Sequence, residues 1–249
     1  MRKILLVFSL VVGSFFSIQC SSDSGGDTGG QGNQDGTGGS LAVFAIKGDY
    51  LYSVDDRSLN VFWISNPSNP TNVGRVDIGF DIETIFGLDN YLFIGSERGM
   101  YIYDINHPEN PKKLSESMHF RACDPVVANN SHAFVTLHSN AVCGNSINVL
   151  QVYDIAKLTN PKLVHQRNLV QPRGLALYEK YLIICDDELK IFNIENAEEP
   201  VIVRALPYKY KDVIIYNDIL FAFGENRITQ FKWENNDFVS LEPISSLVY

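Results

Sequence analysis

The chain has 249 residues, of which 45% are hydrophobic and 12% aromatic, and a chain of this size and composition buries a substantial core. Disorder over the full length is therefore excluded. Acidic residues outnumber basic residues by 29 to 20, for a net charge of -9, which argues against a basic surface that follows nucleic-acid phosphates. We expect no nucleic-acid partner.

The N-terminal segment has the features of an export signal. Met1, Arg2 and Lys3 form a cationic start, and the run from Ile4 to Ile18 is apolar. This run is too short to span a bilayer comfortably, and a cationic start before a short apolar run is typical of a signal peptide. We predict a signal peptide over residues 1–19.

Cys20 stands where the apolar run meets a polar segment, in the sequence Ser17-Ile18-Gln19-Cys20. This junction resembles a bacterial lipoprotein lipobox, although lipoboxes usually carry Gly, Ala or Ser where this chain has Gln19. The resemblance implies that Cys20 is acylated and becomes the mature N-terminus. The alternative is an ordinary signal peptide that leaves Cys20 as an incidental thiol.

Residues 20–40 are predicted to form a lipidated tether. Eight of the twenty residues from Ser21 to Ser40 are glycine, and such a composition buries no apolar surface and behaves as a flexible coil. Because the chain is acidic, we attribute membrane attachment to acyl chains and not to charge. We expect a lipid anchor in the bacterial outer membrane, on its surface or its periplasmic face.

From Leu41 onward the sequence repeats with a period of roughly forty residues. In five units, a short run of strand-forming residues is followed by a second run in which apolar and polar residues alternate, as they do in half-buried strands. The first runs begin at Tyr50, Tyr91, His132, Tyr181 and Ile219, and the second runs at Leu59, Met100, Leu150, Leu189 and Ile228. Turns with proline and further short strands follow. Four short strands per unit predict an all-β fold, a β-propeller of five four-stranded blades over residues 41–249.

The repeated motif resembles that of the LVIVD-repeat proteins, whose blades carry a strand such as L-x-V-x-D-I followed by S-N-P-x-N-P. The matching stretches are Val61 to Pro70 and Ile102 to Pro111. The third unit also fits, with Asp154, whereas the fourth and fifth have Asn193 and Lys232 in place of the aspartate. The resemblance implies a secreted or surface bacterial propeller and no defined activity.

Both ends of the repeat region supply strands for closure. Leu41 to Ile46 is a plausible innermost strand for the first blade, and Phe238 to Ile244 an outermost strand for the fifth. We therefore expect the propeller to close within one chain and the protein to be a monomer. The alternative is a propeller of six blades, completed in a dimer or by an unrecognised strand.

The cysteines show no C-x-x-C spacing, which argues against a thiolate metal site or a redox motif. The third blade carries an insertion, Ser139 to Ser146, with Cys143 at its centre, and Cys123 precedes the first aligned strand of that blade. Both positions lie at the same end of an up-and-down blade. We predict a Cys123–Cys143 disulfide in the oxidising exported compartment; the alternative is two free thiols. We expect Cys185 to be free within an apolar strand.

One aligned position of the repeat is charged in four of the five units, and we call its residues the charged column. The residues eight positions before the aligned strand starts are Ala42, Glu83, Asp124, Arg173 and Lys211. We expect them at the mouth of the central channel, where fixed charges concentrate an electrostatic field that binds a small polar ligand. The alternative is two structural ion pairs, Asp124 with Arg173 and Glu83 with Lys211.

The sequence carries no recognisable catalytic or metal motif. Its five histidines show no H-E-x-x-H spacing, and no nucleophile elbow or phosphate loop occurs. We therefore predict no catalytic residue, no metal and no cofactor, and a binding scaffold for an unidentified protein or glycan. A second hypothesis is a channel enzyme or sensor, with Glu83 or Asp124 as general base and Arg173 or Lys211 as electrostatic stabiliser. A third is an adhesin for glycan or extracellular matrix.

Overall fold

The computed structural model describes residues 39–119, 125–139, 147–235 and 237–249. These residues form five antiparallel sheets of four strands each, so the predicted β-propeller with five blades is confirmed. The predicted signal peptide, Cys20 and residues 21–38 of the tether lie outside the described residues, and so do Cys123, Asp124 and Cys143.

Each blade is built from four consecutive strands, with each strand hydrogen-bonded to the next. Blade 1 contains β1 (Phe44–Lys47), β2 (Tyr50–Val54), β3 (Ser58–Trp63) and β4 (Thr71–Asp77). Blade 2 contains β5 (Ile82–Leu88), β6 (Tyr91–Ser96), β7 (Gly99–Asp104) and β8 (Lys112–Met118). Blade 3 contains β9 (Val126–Ala128), β10 (His132–Leu137), β11 (Val149–Asp154) and β12 (Lys162–Asn168). Blade 4 contains β13 (Leu175–Tyr178), β14 (Tyr181–Cys185), β15 (Leu189–Asn193) and β16 (Val201–Leu206), and blade 5 contains β17 (Asp212–Tyr216), β18 (Ile219–Phe223), β19 (Arg227–Glu234) and β20 (Asp237–Val248).

The two ends of the propeller differ from the strands that the sequence predicts. The innermost strand of blade 1 begins at Phe44, not at Leu41, because residues 39–42 make contacts with other blades. The outermost strand of blade 5 continues beyond Ile244 to Val248. No strand is exchanged between sheets among the described residues, since each sheet takes its strands from one continuous stretch of chain.

The aspartate of the repeated motif closes a turn. The Asp104 carboxylate accepts a hydrogen bond of 2.7 Å from the Asn106 amide, and the Asp154 carboxylate one of 2.8 Å from the Ala156 amide. In blade 4 the side-chain oxygen of Asn193 accepts the equivalent bond from Glu195. An amide oxygen and a carboxylate oxygen both accept from a backbone N–H, which explains why asparagine replaces aspartate there.

Four apolar clusters join neighbouring blades, and two columns of the repeat build them. The second strands of blades 1 to 4 each send one residue toward the following blade; these residues are Tyr52, Phe93, Phe134 and Ile183, all fully buried. The second strands of blades 2 to 5 each send one residue toward the preceding blade, and these residues are Leu92, Ala133, Leu182 and Leu220. In the described part of the chain the clusters span blades 1 and 2, 2 and 3, 3 and 4, and 4 and 5.

Candidate functional site

The charged column lies at one end of the blades, where the innermost strands begin. Glu83 is the second residue of β5, at a point where the pairing with β6 shifts by one residue. Arg173 stands just before β13, and Lys211 directly before β17. The structure therefore brings these three to the same end of the propeller, whereas Asp124 is outside the described residues.

Lys211 and Arg173 contact residues of blades 3, 4 and 5. Lys211 Nζ lies 3.5 Å from Glu225 Oε1 of the hairpin between β18 and β19, and both side chains are largely exposed. The backbone of Arg173 donates to the Cys185 carbonyl (2.7 Å), and its own carbonyl accepts a hydrogen bond of 2.6 Å from the Thr136 hydroxyl. That these charged side chains bind a ligand stays a prediction.

The last residues of the tether cross this end of the channel and form a clasp, Gly39 to Ala42. The Ser40 hydroxyl donates to Asp212 Oδ1 (3.1 Å) in blade 5 and accepts from the Leu175 amide (2.7 Å) in blade 4. The Ala42 carbonyl accepts from the Ile85 amide (2.9 Å) in blade 2. Ser40 is only 1% exposed. The clasp thus connects three blades before the chain enters blade 1.

The clasp covers the carboxyl group of Asp212, the first residue of β17. Burial raises its pKa to about 6, against the lowering effect of hydrogen bonds from Val213, Ser40 and Leu41. Desolvation disfavours the ionised carboxylate, so its cost outweighs the stabilisation by these donors. Asp212 directly follows Lys211 in the sequence, and its burial is not visible there, because Ser40, which packs against it, is 172 residues away.

Two glycines leave room for this carboxylate. A Cβ at Gly39 would lie 2.1 Å from Asp212 Oδ2, and one at Gly174 would lie 2.0 Å from Asp212 Oδ1. No real Cβ approaches an oxygen so closely, so either substitution requires the carboxylate to move. Both glycines are therefore needed for the close approach of the backbone to the buried acid.

Beneath the clasp, the channel contains an apolar cavity of about 150 Å³. The clasp residues Gly39 and Ser40 line one side of it, and innermost strands of four blades supply Phe86, Val127 and the stretches 175–177 and 213–215. Apart from Gly39 and Ser40, the residues that line this cavity are apolar, and Glu83, Arg173 and Lys211 are not among them.

Blade 3 has the expected insertion, because residues 138–148 separate β10 from β11 where the other blades have two or three residues. The predicted Cys123–Cys143 disulfide falls outside the described residues and stays a prediction.

Cys185 is a fully buried free thiol, as expected, and burial raises its pKa. A buried thiol of raised pKa is a poor nucleophile.

One buried ion pair escaped the sequence analysis. The Asp186 side chain is fully buried and lies 2.6 Å from Lys190 Nζ, and it also accepts hydrogen bonds from the Val170 and Gln171 amides. Within the described residues, no group of three potential metal ligands occurs. These residues also contain no helix that is long and apolar enough to cross a membrane.

Residues 38–78 match the LVIVD repeat, so the resemblance carried by the first unit is confirmed. A search of curated proteins finds no match.

Solved structures with a similar fold are distant in sequence. The periplasmic gluconolactonase of Pseudomonas aeruginosa aligns with a TM-score of 0.62 at 11% identity, over 81% of this chain and 68% of that one. Apo AztD from Citrobacter koseri aligns at 0.58 and 13%, over 82% and 63%, and BamB from Moraxella catarrhalis at 0.59 and 10%, over 77% and 57%. The chain thus spans 57–68% of the length of these three proteins. Likeness at such low identity shows the β-propeller fold alone.

Proposed function

Taking the chain as one that carries an LVIVD-repeat β-propeller, we propose that it is a bacterial lipoprotein, anchored in the outer membrane through Cys20, whose propeller is a binding scaffold. It acts as a monomer and without a cofactor. Residues 21–38 then connect the acylated Cys20 to the propeller, in which Ser40 is held by hydrogen bonds to blades 4 and 5.

The clasp is the observation that carries this proposal. A channel enzyme requires an open pocket in which a carboxylate of raised pKa faces the substrate. The chain does have a carboxyl group of raised pKa in Asp212, but the clasp covers it, and the Ser40 hydroxyl donates a hydrogen bond to its Oδ1. The raised pKa follows from burial against the chain's own backbone, which favours a structural role for this acid and a scaffold function for the fold.

The anchor is tested by the intact mass of the full chain extracted from bacterial membranes. We expect a chain that begins at Cys20 and carries the mass of two or three acyl groups. The Cys20→Ala variant is the control, and it should appear in the soluble fraction without added mass. An unlipidated wild-type chain in the soluble fraction would contradict the proposed lipid anchor at Cys20.

The scaffold function is tested against the enzyme hypothesis. Because the similar gluconolactonase shares only the fold, we expect no hydrolysis of D-glucono-δ-lactone above the background rate by the membrane-extracted protein. Hydrolysis that falls in both Glu83→Gln and Arg173→Ala variants, with thermal unfolding unchanged, would instead support a channel enzyme.

A further inference from the structure

Two cavities occupy equivalent positions at successive seams, a seam being the junction between two neighbouring blades. Both lie at the end of the blades opposite to the clasp. The first, of about 300 Å³, lies between blades 1 and 2, and the second, of about 230 Å³, lies between blades 2 and 3. The first is lined by residues that include Asp49, Tyr50, Tyr52, Asp89, Asn90 and Pro108. The second is lined by residues that include Asp89, Tyr91, Phe93, Asn129, Asn130 and Ile155.

The repeat itself produces this equivalence. Tyr50 and Tyr91 begin the second strand of their blades and each presents a half-buried ring, while Tyr52 and Phe93, two residues later, form the buried floors. Asp89 belongs to both cavities, because the hairpin between β5 and β6 stands between the two seams. Its φ of 48° is the left-handed conformation that two-residue hairpins require and that aspartate tolerates.

The seam between blades 4 and 5 shows what closes such a cavity. There Tyr178 takes the position that Lys47 and Leu88 hold at the open seams. Its ring packs 4.9 Å from Trp233 and 5.4 Å from Phe238, and its hydroxyl donates to Asp218 Oδ1 at 3.0 Å. An aromatic side chain from the chain itself thus fills the space that the first two seams leave empty.

The polar groups around the two cavities define the chemistry of a ligand. Ionised aspartates only accept hydrogen bonds, whereas asparagine amides both donate and accept, so a ligand must bring several donors and some acceptors. The first cavity is lined by Asp49, Asp89 and one basic residue, Lys47, and the second by Asp89 with no basic residue among its lining. Acidic groups therefore outnumber basic groups at both cavities, which disfavours an anion. Tyrosine rings provide apolar faces for C–H groups. A neutral pyranose, with hydroxyls around a ring whose face is apolar, meets all three conditions.

We propose that the two cavities are subsites for consecutive parts of a neutral glycan chain. This inference rests on the proposed binding function and names its ligand class. The subsites are related by the blade repeat, and a glycan is itself a repeating polymer, so one chain can occupy both. Two linked weak contacts raise the affinity of a chain that spans them through effective concentration.

Calorimetric titration of the full-length protein in detergent tests the proposal. The probes are neutral hexose and N-acetylhexosamine sugars of one to six units. We expect a sugar of one unit to bind weakly at two sites per chain, and the longest bound chain to bind about a hundredfold more tightly.

Substitutions at exposed positions separate the two subsites without disturbing the core. Asp49→Ala should remove only the site between blades 1 and 2, and Asn130→Ala only the site between blades 2 and 3. Asp89→Asn keeps the left-handed conformation and should weaken both sites about tenfold, the effect of losing one charge-assisted hydrogen bond. Tyr216→Ala is the matched control, because Tyr216 holds the same repeat position as Lys47 and Leu88 but lines neither cavity, and it should bind like the wild type.

Three results would overturn the proposal. The first is that none of the neutral sugars binds. The second is that sugars bind but that Asp49→Ala, Asn130→Ala and Asp89→Asn all leave this binding unchanged. The third is that the protein prefers an arginine- and lysine-rich peptide and that Asp89→Asn abolishes the binding of this peptide. The failure of the proposed function is distinguishable, because it is read from the mass and membrane fraction of the wild-type chain. If the protein is lipidated but binds no sugar, only this inference is contradicted. If the protein binds sugar but is not lipidated, only the proposed lipid anchor is contradicted.

Discussion

Strands β10 in blade 3 and β18 in blade 5 have the same place in their blades but bury different numbers of residues. All residues of β10 after His132 are buried, whereas β18 alternates between buried and half-buried positions. Phe134 and Phe221 stand at the same position of the repeat, yet Phe134 is fully buried and Phe221 is half-buried. The difference shows that the neighbouring blade, and not the strand's own sequence, decides whether a second face is covered.

The largest expected effect separates these two phenylalanines. Phe134→Ala should lower the free energy of unfolding by about 3 to 5 kcal/mol, because it leaves a cavity in the cluster between blades 3 and 4. Phe221→Ala should lower it by only about 1 to 2 kcal/mol, because its side chain loses less contact. Urea unfolding followed by circular dichroism measures both. Equal losses would mean that blade 5 is packed as tightly as blade 3.

A buried ion pair in blade 4 should have the next largest effect. Lys190→Met leaves the buried Asp186 carboxylate without its cationic partner, which we expect to cost about 3 kcal/mol. Adding Asp186→Asn to this variant should recover part of the loss, because the remaining group is then neutral. Thermal and urea unfolding of the single and double variants measure the coupling, and a double variant less stable than Lys190→Met would contradict it.

The buried acid of the clasp predicts a pH dependence in the opposite direction to that of a salt-bridged carboxylate. The pKa of Asp212 is about 6 in the folded protein and 3.8 as its ordinary value, so the folded state holds the proton more tightly. Its contribution to stability is fully present below about pH 4 and is lost as the pH rises through about 6, a change of about 2 to 3 kcal/mol.

Asp212→Asn tests this dependence, because asparagine does not ionise. We expect the difference in unfolding free energy between the variant and the wild type to shift in favour of the variant between pH 4 and pH 7. Unfolding in urea at a series of pH values measures it. Parallel profiles for the two proteins would show that Asp212 ionises in the folded state without cost.

The smallest expected effect is that of the exposed pair in blade 5. Lys211→Met should change stability by less than about 0.5 kcal/mol, because Lys211 and Glu225 are both well solvated. The comparison with Lys190→Met in blade 4 keeps the substitution constant, while the burial and the number of carboxylate partners of the lysine differ. A loss similar to that of Lys190→Met would mean that Lys211 has a further, structural partner at the channel mouth.

Much of the fold was predictable from local patterns. Strands β2, β14 and β18 begin at Tyr50, Tyr181 and Ile219, where the repeated runs of the sequence begin, because aromatic and β-branched residues bounded by turn residues favour strands. Glu83, Arg173 and Lys211 lie at or just before the starts of innermost strands, because the repeat places the same position there in each blade; that they form a ligand site at the channel mouth stays a prediction.

The candidate sites were less predictable, because they depend on contacts between distant parts of the chain. Ser40 belongs to a glycine-rich segment whose composition indicates a flexible coil, yet its hydroxyl connects blades 4 and 5. The seam cavities depend on which side chain occupies one hairpin position, a lysine, a leucine or a tyrosine, and no single-strand pattern shows which of these fills the space.

The sequence by itself determined the number of blades, the order of their strands and the end at which the charged column lies, because these follow from a repeat that is local in the chain. Only the tertiary structure decided that the clasp covers Asp212, that Asp186 is buried with Lys190, and that two seams stay open while another is filled by Tyr178. Burial and cavities are properties of surfaces that meet, and which surfaces meet depends on the packing of blades that are separate in sequence.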